Sequence, residues 1–407
     1  MKRNGSSLKT SLFQGKPWYQ SRTNSFLSSI LSITADIIQH FPQTIRNPLI
    51  KSIDKLGLFI IRMMKIMPFH SQPYHHIQGP GVENEQINIM YQGDLSSIIF
   101  FLKKLFPDTE NLHITTIPHN KNKKKIAALK EKSDMFIIEK DYFFKGFYQK
   151  KGYLIIPENI SFILPAIQPI ENTIKKCSQS IQQDIKKAKS FGYQYEIKSD
   201  ISAFKNFYNT MYIPYVKWKY KEMEKIVSYD AMRHFSLRGS KLLLVTSDDS
   251  NVFGGIFDIE KQKIITQYAG LKEGKFNHIH NGIITLSYYF LILIAKKYNI
   301  KSIDFGTSPP FLSDGLYKYK MKWNMHITKT KPIFSTIFAI KMNAQSKSLQ
   351  NFFKQNPFFY YKKDSLSAAF LIDTHNDITK KEKWGLKHNN LKEIEPTLYY
   401  SLDELYL

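Results

Sequence analysis

Apolar positions along the chain switch between two periods, and the switches mark out the elements. Ile87 to Tyr91 alternates like a strand, Leu95 to Leu105 follows a helical period, and His113 to Ile117 returns to strand alternation. A helix opens at the lysine cluster Lys121, Lys123, Lys124 and Lys125 and runs to about Lys132. Met135 to Ile138 and Tyr153 to Ile156 read as further strands, so residues from about 80 to 165 form one α/β unit.

A basic helix including QQDIKKAKSFGY runs from Cys177 to a stop at Gly192, followed by a strand at Tyr195 to Lys198. Ile201 to Tyr212 is helical until Pro214 breaks it, and another helix carries Tyr229 to Phe235. Three strands then follow, Leu242 to Thr246, Val252 to Asp258 and Lys263 to Ala269, separated by short turns. A long helix over 281–298 leads to a short strand, Ser302 to Phe305. A meander, a crossover helix and a further strand predict a mixed sheet with helices on its faces.

The two ends read differently. Phe26 to Ile38 and Lys55 to Met67 have helical periods, and residues 1 to about 70 hold ten Lys or Arg against Asp36 and Asp54 alone. The second, with Lys55, Arg62 and Lys65 on one face, is a basic amphipathic helix that suits an anionic membrane surface or packs on the protein's own core. Pro68 to Gly81 reads as a loop. Toward the C-terminus, Ile333 to Met342 reads as a strand or helix, and Phe352 to Tyr361 is an aromatic run suited to packing or to membrane contact. The last 30 residues or so resemble a polar tail.

Composition narrows the classes. At 407 residues, with 43% apolar and 14% aromatic positions, the chain can bury a large core in two or three domains. Its single cysteine, Cys177, excludes an intramolecular disulfide and a zinc site built mainly from cysteine. That fits the reducing cytoplasm, with peripheral contact at the inner membrane face left open. Ile283 to Ala295 is too short for the roughly 20 residues a bilayer needs, and a buried helix is expected there. Fifty-eight Lys and Arg against 34 Asp and Glu give a net charge of +24. Nucleic acid, acidic lipid or a phosphorylated small molecule would suit such a surface, although a Lys-, Ile- and Asn-rich composition produces part of the excess by itself.

Several chemistries are missing from the sequence. It contains no G-x-x-x-x-G-K-S/T loop, no G-x-G-x-x-G after a strand, and no H-E-x-x-H or G-x-S-x-G. No metal site is expected. The informative stretch is Asp304 to Trp323, DFGTSPPFLSDGLYKYKMKW, where a strand ends in Asp-Phe-Gly and a Pro-Pro corner leads to an aromatic, basic helix. Strand ends opening onto Gly and Pro loops are where α/β sheets bind ligands. Periodicity alone also allows an ordinary amphipathic helix with Leu316, Tyr319 and Trp323 inward and the lysines outward.

From Asp184 to Trp323 the chain resembles GNAT-superfamily acyltransferases of the FemAB-like type. The likeness rests on D-I-K-K-A-K-x-x-G-Y, on F-Y-x-x-M-Y-x-P-Y, on the meander ending in Y-A-G, and on I-D-F-G-x-S-P-P-F-L-x-D-G-L-x-x-Y-K-x-x-W. Two departures stand out. Asn324 occupies the place of the family's usual Gly, and the R/Q-x-x-G-x-G/A pyrophosphate loop of typical GNAT enzymes is missing.

The resemblance implies an α/β GNAT fold of two tandem units with mixed central sheets. The expected organisation is a basic helical extension (1–75), a degenerate N-terminal unit (76–170), the acyltransferase domain (171–345) and a tail (346–407). It also implies transfer of an acyl group, with acyl-CoA as co-substrate, to an amine or hydroxyl. In this scheme Lys320 stabilises the oxyanion or a donor phosphate, Tyr317 or Tyr319 protonates the leaving group, and Asp304 orients a lysine or accepts a proton. Tyr268, Ala269, Gly270, Gly306 and Lys318 are expected to contact the donor, and His278 or His280 to act as a base. One alternative is an aminoacyl-tRNA-dependent ligase acting on a cell-envelope precursor, with the lysine clusters at 121–125 and 186–189 tracking phosphates. Another is an inactive basic module that binds nucleic acid or membrane. No stable protein partner is expected.

Overall fold

A computed structural model describes residues 72–372, apart from 83, 109–110, 120–121, 168, 221–225, 248–249, 274–276 and 329–334, together with 394, 396–406 and a few positions between 49 and 56. The helix expected at Phe26 to Ile38, and all of the Lys55 to Met67 helix but Leu56, lie outside the described residues.

By its contacts the chain divides into two compact units that are discontinuous in sequence. One comprises Met1–Gly57, Ala188–Asp258 and Gln267–Ile284; the other comprises Leu58–Lys187, Ile259–Thr266 and Thr285–Leu407.

The larger unit contains a six-stranded sheet in the order β3-β1-β2-β4-β13-β5. Its strands are β1 (Tyr74–Pro80), β2 (Gln86–Gln92), β3 (His113–Ile117), β4 (Met135–Asp141), β5 (Leu154–Pro157) and β13 (Thr336–Met342). The helices α1 (Leu95–Leu105) and α2 (Lys123–Glu131) connect β2, β3 and β4. β2 and β4 run parallel, whereas β13 is antiparallel to both of its neighbours, so the sheet is mixed.

β1 corrects the expectation of a loop at Pro68 to Gly81. His75, His76 and Gln78 interrupt any apolar alternation, yet the strand pairs with β2 on one side and β3 on the other. Its polar groups are satisfied inside the sheet. His75 donates from Nε2 to the Gly93 carbonyl at 3.2 Å and accepts at Nδ1 from Thr116 Oγ1 at 3.0 Å. Gln78 Nε2 donates to Asn88 Oδ1 at 2.6 Å. A strand can therefore carry polar residues at low cost, provided each finds a partner.

A second, seven-stranded sheet follows the order β12-β6-β11-β10-β9-β8-β7. Its strands are β6 (Ile160–Pro165), β7 (Gln194–Lys198), β8 (Lys241–Ser247), β9 (Ser250–Glu260), β10 (Lys263–Leu271), β11 (Ser302–Ser308) and β12 (His326–Thr328). The expected meander is β8-β9-β10, and β10 pairs parallel with β11. The two mixed sheets of the expected α/β class are thus present. They also exchange strands. β6 precedes the second half of the chain but pairs with β11 and β12, while β13 follows that half and inserts between β4 and β5.

Residues beyond 346 add α9 (Lys347–Gln355) and the hairpin β14 (Phe358–Lys362) and β15 (Ser365–Leu371), with β16 (Pro396–Tyr399) parallel to β15. Leu349, Phe352 and Phe353 of α9 and Phe358 and Tyr360 of β14 join Ile77, Ile89, Phe101, Phe106 and Phe338 in one core beneath the first sheet. The aromatic run is therefore packing. Each fully buried Phe contributes roughly 2 to 3 kcal/mol of transfer free energy, which makes this segment part of the fold.

In the smaller unit, α4 (Ile201–Phe207), a single π-helical turn (Tyr208–Tyr212), α5 (Ile213–Tyr220) and α6 (Tyr229–Leu237) accompany β7, β8 and most of β9. Phe204, Phe207, Met211, Tyr212, Met232, Leu242, Leu244 and Ile256 form their core.

Two helices of the larger unit frame the motif region: α7 (Ile283–Lys297) and α8 (Gly315–Lys322). Much of α7, including Leu286, Ile292, Ile294 and Ala295, is buried as expected. No helix among the described residues is long and apolar enough to cross a membrane.

Candidate active site

β11 carries the first part of the site. It pairs with β10 over Lys263↔Ser302, Ile264↔Ile303 and Ile265↔Asp304, and continues past that pairing to Ser308. On its other edge the register against β6 shifts between Asp304 and Thr307. This bulge contains Gly306 at φ +71, a backbone conformation that glycine adopts without steric cost. Asp304 holds the bulge together. Its Oδ1 accepts the Gly306 N–H at 3.0 Å and its Oδ2 accepts Lys263 Nζ at 2.7 Å. Both oxygens of the expected acid–base group are therefore engaged.

α8 supplies the second part. Asp314 caps it, with Oδ1 accepting the N–H groups of Leu316 at 2.8 Å and Tyr317 at 3.1 Å. Trp323 ends the helix, and Asn324 follows at φ +58 with its N–H bonded to the Met321 carbonyl at 2.9 Å. This is the left-handed cap position, which Asn tolerates better than other side chains except Gly.

The phase of α8 differs from a simple amphipathic helix. Leu316 is 42% exposed, whereas Lys320 is 2% exposed and Tyr317 1% exposed. Lys320 Nζ donates to the Thr307 carbonyl at 2.8 Å and sits 4.8 Å from the centroid of the Phe162 ring. Burial pushes its pKa down to about 7, against the opposing pull of the Asp304 and Asp314 carboxylates. The same Phe162 ring packs edge-on against Tyr317, whose buried hydroxyl has no hydrogen-bond partner among the described residues. Burial raises the Tyr317 pKa strongly.

Tyr319 faces a different neighbourhood. Its hydroxyl shares a 3.1 Å hydrogen bond with Thr285 Oγ1 of α7. Burial raises its pKa, and the hydrogen bond with Thr285 partly offsets that rise. Its ring meets Tyr288 edge-on, and Tyr288 stacks on Phe305 with centroids 4.1 Å apart. Lys318 lies exposed on the outer face of α8. Lys320, Tyr317, Tyr319, Lys318, Asp304 and Gly306 thus share one compact unit.

Tyr268, Ala269, Gly270 and His280 belong to the other unit. Tyr268 packs edge-on to Tyr212 and Phe235, and its pKa is raised by burial and lowered by Arg238. Ala269 is exposed. At Gly270 an added Cβ would meet the backbone of Met211 and Tyr212 at 2.6 to 2.7 Å, so the strand lies directly against the π-helical turn. His280 is exposed, whereas His278 Nδ1 pairs with the Tyr193 hydroxyl at 2.6 Å.

Sequence reasoning missed Lys263, Thr285, Thr307 and Phe162. Only Lys263 left a signal. Two residues before Ile265, which registers with Asp304, it shares that residue's face in strand periodicity.

No family model matches the chain, and no curated protein does. Solved structures are similar to it. FemX is 11% identical with a TM-score of 0.37, covering 73% of this chain and 96% of that one. L-PGS from Bacillus licheniformis is 10% identical with a TM-score of 0.35, covering 64% and 83%. A GCN5-related N-acetyltransferase from Sphaerobacter thermophilus is 9% identical with a TM-score of 0.26, covering 57% and 72%. The class of protein that the sequence resembles recurs among these neighbours. At such scores the likeness assigns no activity, so the functional reading rests on the residues themselves.

Proposed function

We propose that the chain is an acyltransferase that moves an acyl group from a thioester of the acyl-CoA type to an amine or hydroxyl. The observation that carries this reading is the Lys320 ammonium, buried at the bulged end of β11 with its pKa brought down to about 7. In acyl transfer the acceptor atom attacks the thioester carbon, negative charge gathers on the carbonyl oxygen, and the carbon–sulfur bond then breaks. A cation held in a low-dielectric site stabilises that oxyanion more strongly than one in water. A group with pKa near 7 can also give its proton to the departing thiolate and regain it between turnovers.

The other residues take roles that fit their contacts. Tyr319, already hydrogen-bonded to Thr285, is the second proton donor. Asp304 fixes the bulge that presents the Thr307 carbonyl to Lys320 and so acts as a positioning residue.

The formal charge of +24 supports a second reading in which the donor is an aminoacyl-tRNA ester. Purified protein should be offered acetyl-CoA and charged tRNA in separate assays with mixed amine acceptors, scoring thiol release and deacylation. Thiol release that disappears in Lys320→Ala supports the first reading, and tRNA deacylation that disappears in the same variant supports the second. Consumption of neither donor, or full activity in Lys320→Ala, would sink both.

A further inference from the structure

The aromatic run at Phe352 to Tyr361, which the sequence offers to a membrane, is buried. The exposed aromatic surface lies elsewhere. Phe143 is 67% exposed and Phe147 51% exposed, the two largest exposures among the phenylalanines described. They stand four residues apart where a 3-10 turn (Tyr142–Phe144) runs into a short helix (Lys145–Lys150). Helical spacing puts Lys150 and Lys151 on the same face, and both are exposed. Lys151 Nζ lies 4.3 Å from the Phe147 ring centroid. Gly146, also on this face, has open space around it.

The opposite face is fastened down. Lys145 is buried, donating to Asp364 Oδ1 at 2.5 Å and to the Lys363 carbonyl at 2.7 Å, between the rings of Tyr142 and Tyr361. Gln149 Nε2 donates to the carbonyls of Tyr361 and Lys363 at 3.0 and 3.1 Å. These contacts tie the turn to the tip of the β14–β15 hairpin, where Lys362 and Lys363 are exposed. The one exposed acid at that tip, Asp364, is already paired with Lys145. Two hydrocarbon rings therefore project from a braced turn, with the exposed Lys150 and Lys151 beside them on the same face.

We infer that this face, Phe143 and Phe147 flanked by Lys150 and Lys151, docks on an anionic lipid bilayer. Phenylalanine carries no polar group to satisfy, so its ring can sit below the headgroups, while lysines attract anionic headgroups at the surface. A hydrocarbon pair flanked by like charge does not complement itself, which disfavours a second copy of the chain. The face contains no arginine, the side chain that recognises nucleic-acid phosphates bidentately. The inference holds whichever acyl donor the protein uses.

The test is co-sedimentation of the full chain with vesicles of phosphatidylcholine alone or with one-third phosphatidylglycerol, for wild type, Phe143→Ser/Phe147→Ser and Lys150→Glu/Lys151→Glu. Wild type is expected to prefer the anionic vesicles. Each double variant should partition at least about tenfold less, since burying one Phe ring is worth about that factor or more. The substituted side chains are exposed, so unfolding midpoints should be unchanged. As a readout independent of that control, Phe147→Trp should gain fluorescence quenching by brominated lipid over wild type. The inference is overturned if wild type ignores lipid charge or if both double variants bind vesicles like wild type. It is equally overturned if the Phe substitutions alter only oligomeric state or tRNA binding.

Discussion

The ammonium of Lys320 donates to the carbonyl of Thr307 across 2.8 Å, joining the buried face of α8 to the bulged end of β11. The lysine is committed to one acceptor there and keeps two further N–H donors. Replacing it by alanine should lower kcat/KM about 10²- to 10³-fold, the usual loss for an oxyanion donor. Because the protonated form does the work, wild-type rates should fall as pH rises through about 7. Lys320→Arg should move that limb upward if it retains activity. A pH–rate profile of both proteins checks this.

The same lysine carries a stability cost with a defined sign. Its folded pKa of about 7 lies below the ordinary 10.5, so between those values the unfolded chain binds a proton that the folded one does not. Stability from this group therefore rises with pH across that window, and the cost is complete below about pH 7. Lys320→Met should be more stable than wild type at pH 6 by on the order of 1 to 2 kcal/mol, with the gap closing toward pH 10. Denaturant unfolding at both pH values measures it.

Gly306 and Asp304 can be separated by substitution. An added Cβ at Gly306 meets nothing within 4 Å, so Gly306→Ala carries only the strain of φ +71, about 1 to 2 kcal/mol. Gly306→Asn should cost less. Asp304→Ala removes an acceptor for both Gly306 and Lys263 and should cost about 1 to 3 kcal/mol while also slowing turnover. Thermal unfolding midpoints beside kcat and KM distinguish a loosened bulge from an idle surface pair.

Gly270 is a sharper case. Its missing side chain leaves room for the Met211–Tyr212 backbone at 2.6 to 2.7 Å from where a Cβ would stand. Backbone cannot step aside as a flexible side chain can. Gly270→Ala should therefore destabilise by on the order of 3 kcal/mol, more than Gly306→Ala. Comparing the two midpoints decides the order.

His75 links the first sheet to acidity. Burial lowers its pKa to about 4 from 6.5, so on acidification the unfolded imidazole takes up a proton that the folded one refuses. The stability from this residue is present above about pH 6.5 and is lost as pH falls toward 4, by up to about 3 kcal/mol. Unfolding of wild type and His75→Gln at pH 7 and pH 4.5 should show a steeper loss in wild type.

Much of the smaller unit and of the motif region was legible in the sequence because its signals are local. The meander β8-β9-β10 and the apolar helix α7 each occupy one contiguous stretch with its own period. β1 was not legible, because His75 is satisfied by Thr116 and Gly93 and Gln78 by Asn88, partners outside the strand itself. The burial of Lys320 was hidden for a related reason: a lysine at that position reads as an outward charge unless Thr307 and Phe162 are known to receive it.

The exchange of β6 and β13 also constrains how the protein is made. The first sheet has no strand between β4 and β5 until the ribosome has passed Met342. β6, synthesised far earlier, must wait for β11 and β12 to emerge. Pairings so distant in sequence close late, leaving the edges of β4, β5 and β6 exposed to wrong partners meanwhile. A stop codon before β11 therefore leaves both sheets incomplete, and one between β12 and β13 leaves only the first sheet without a strand.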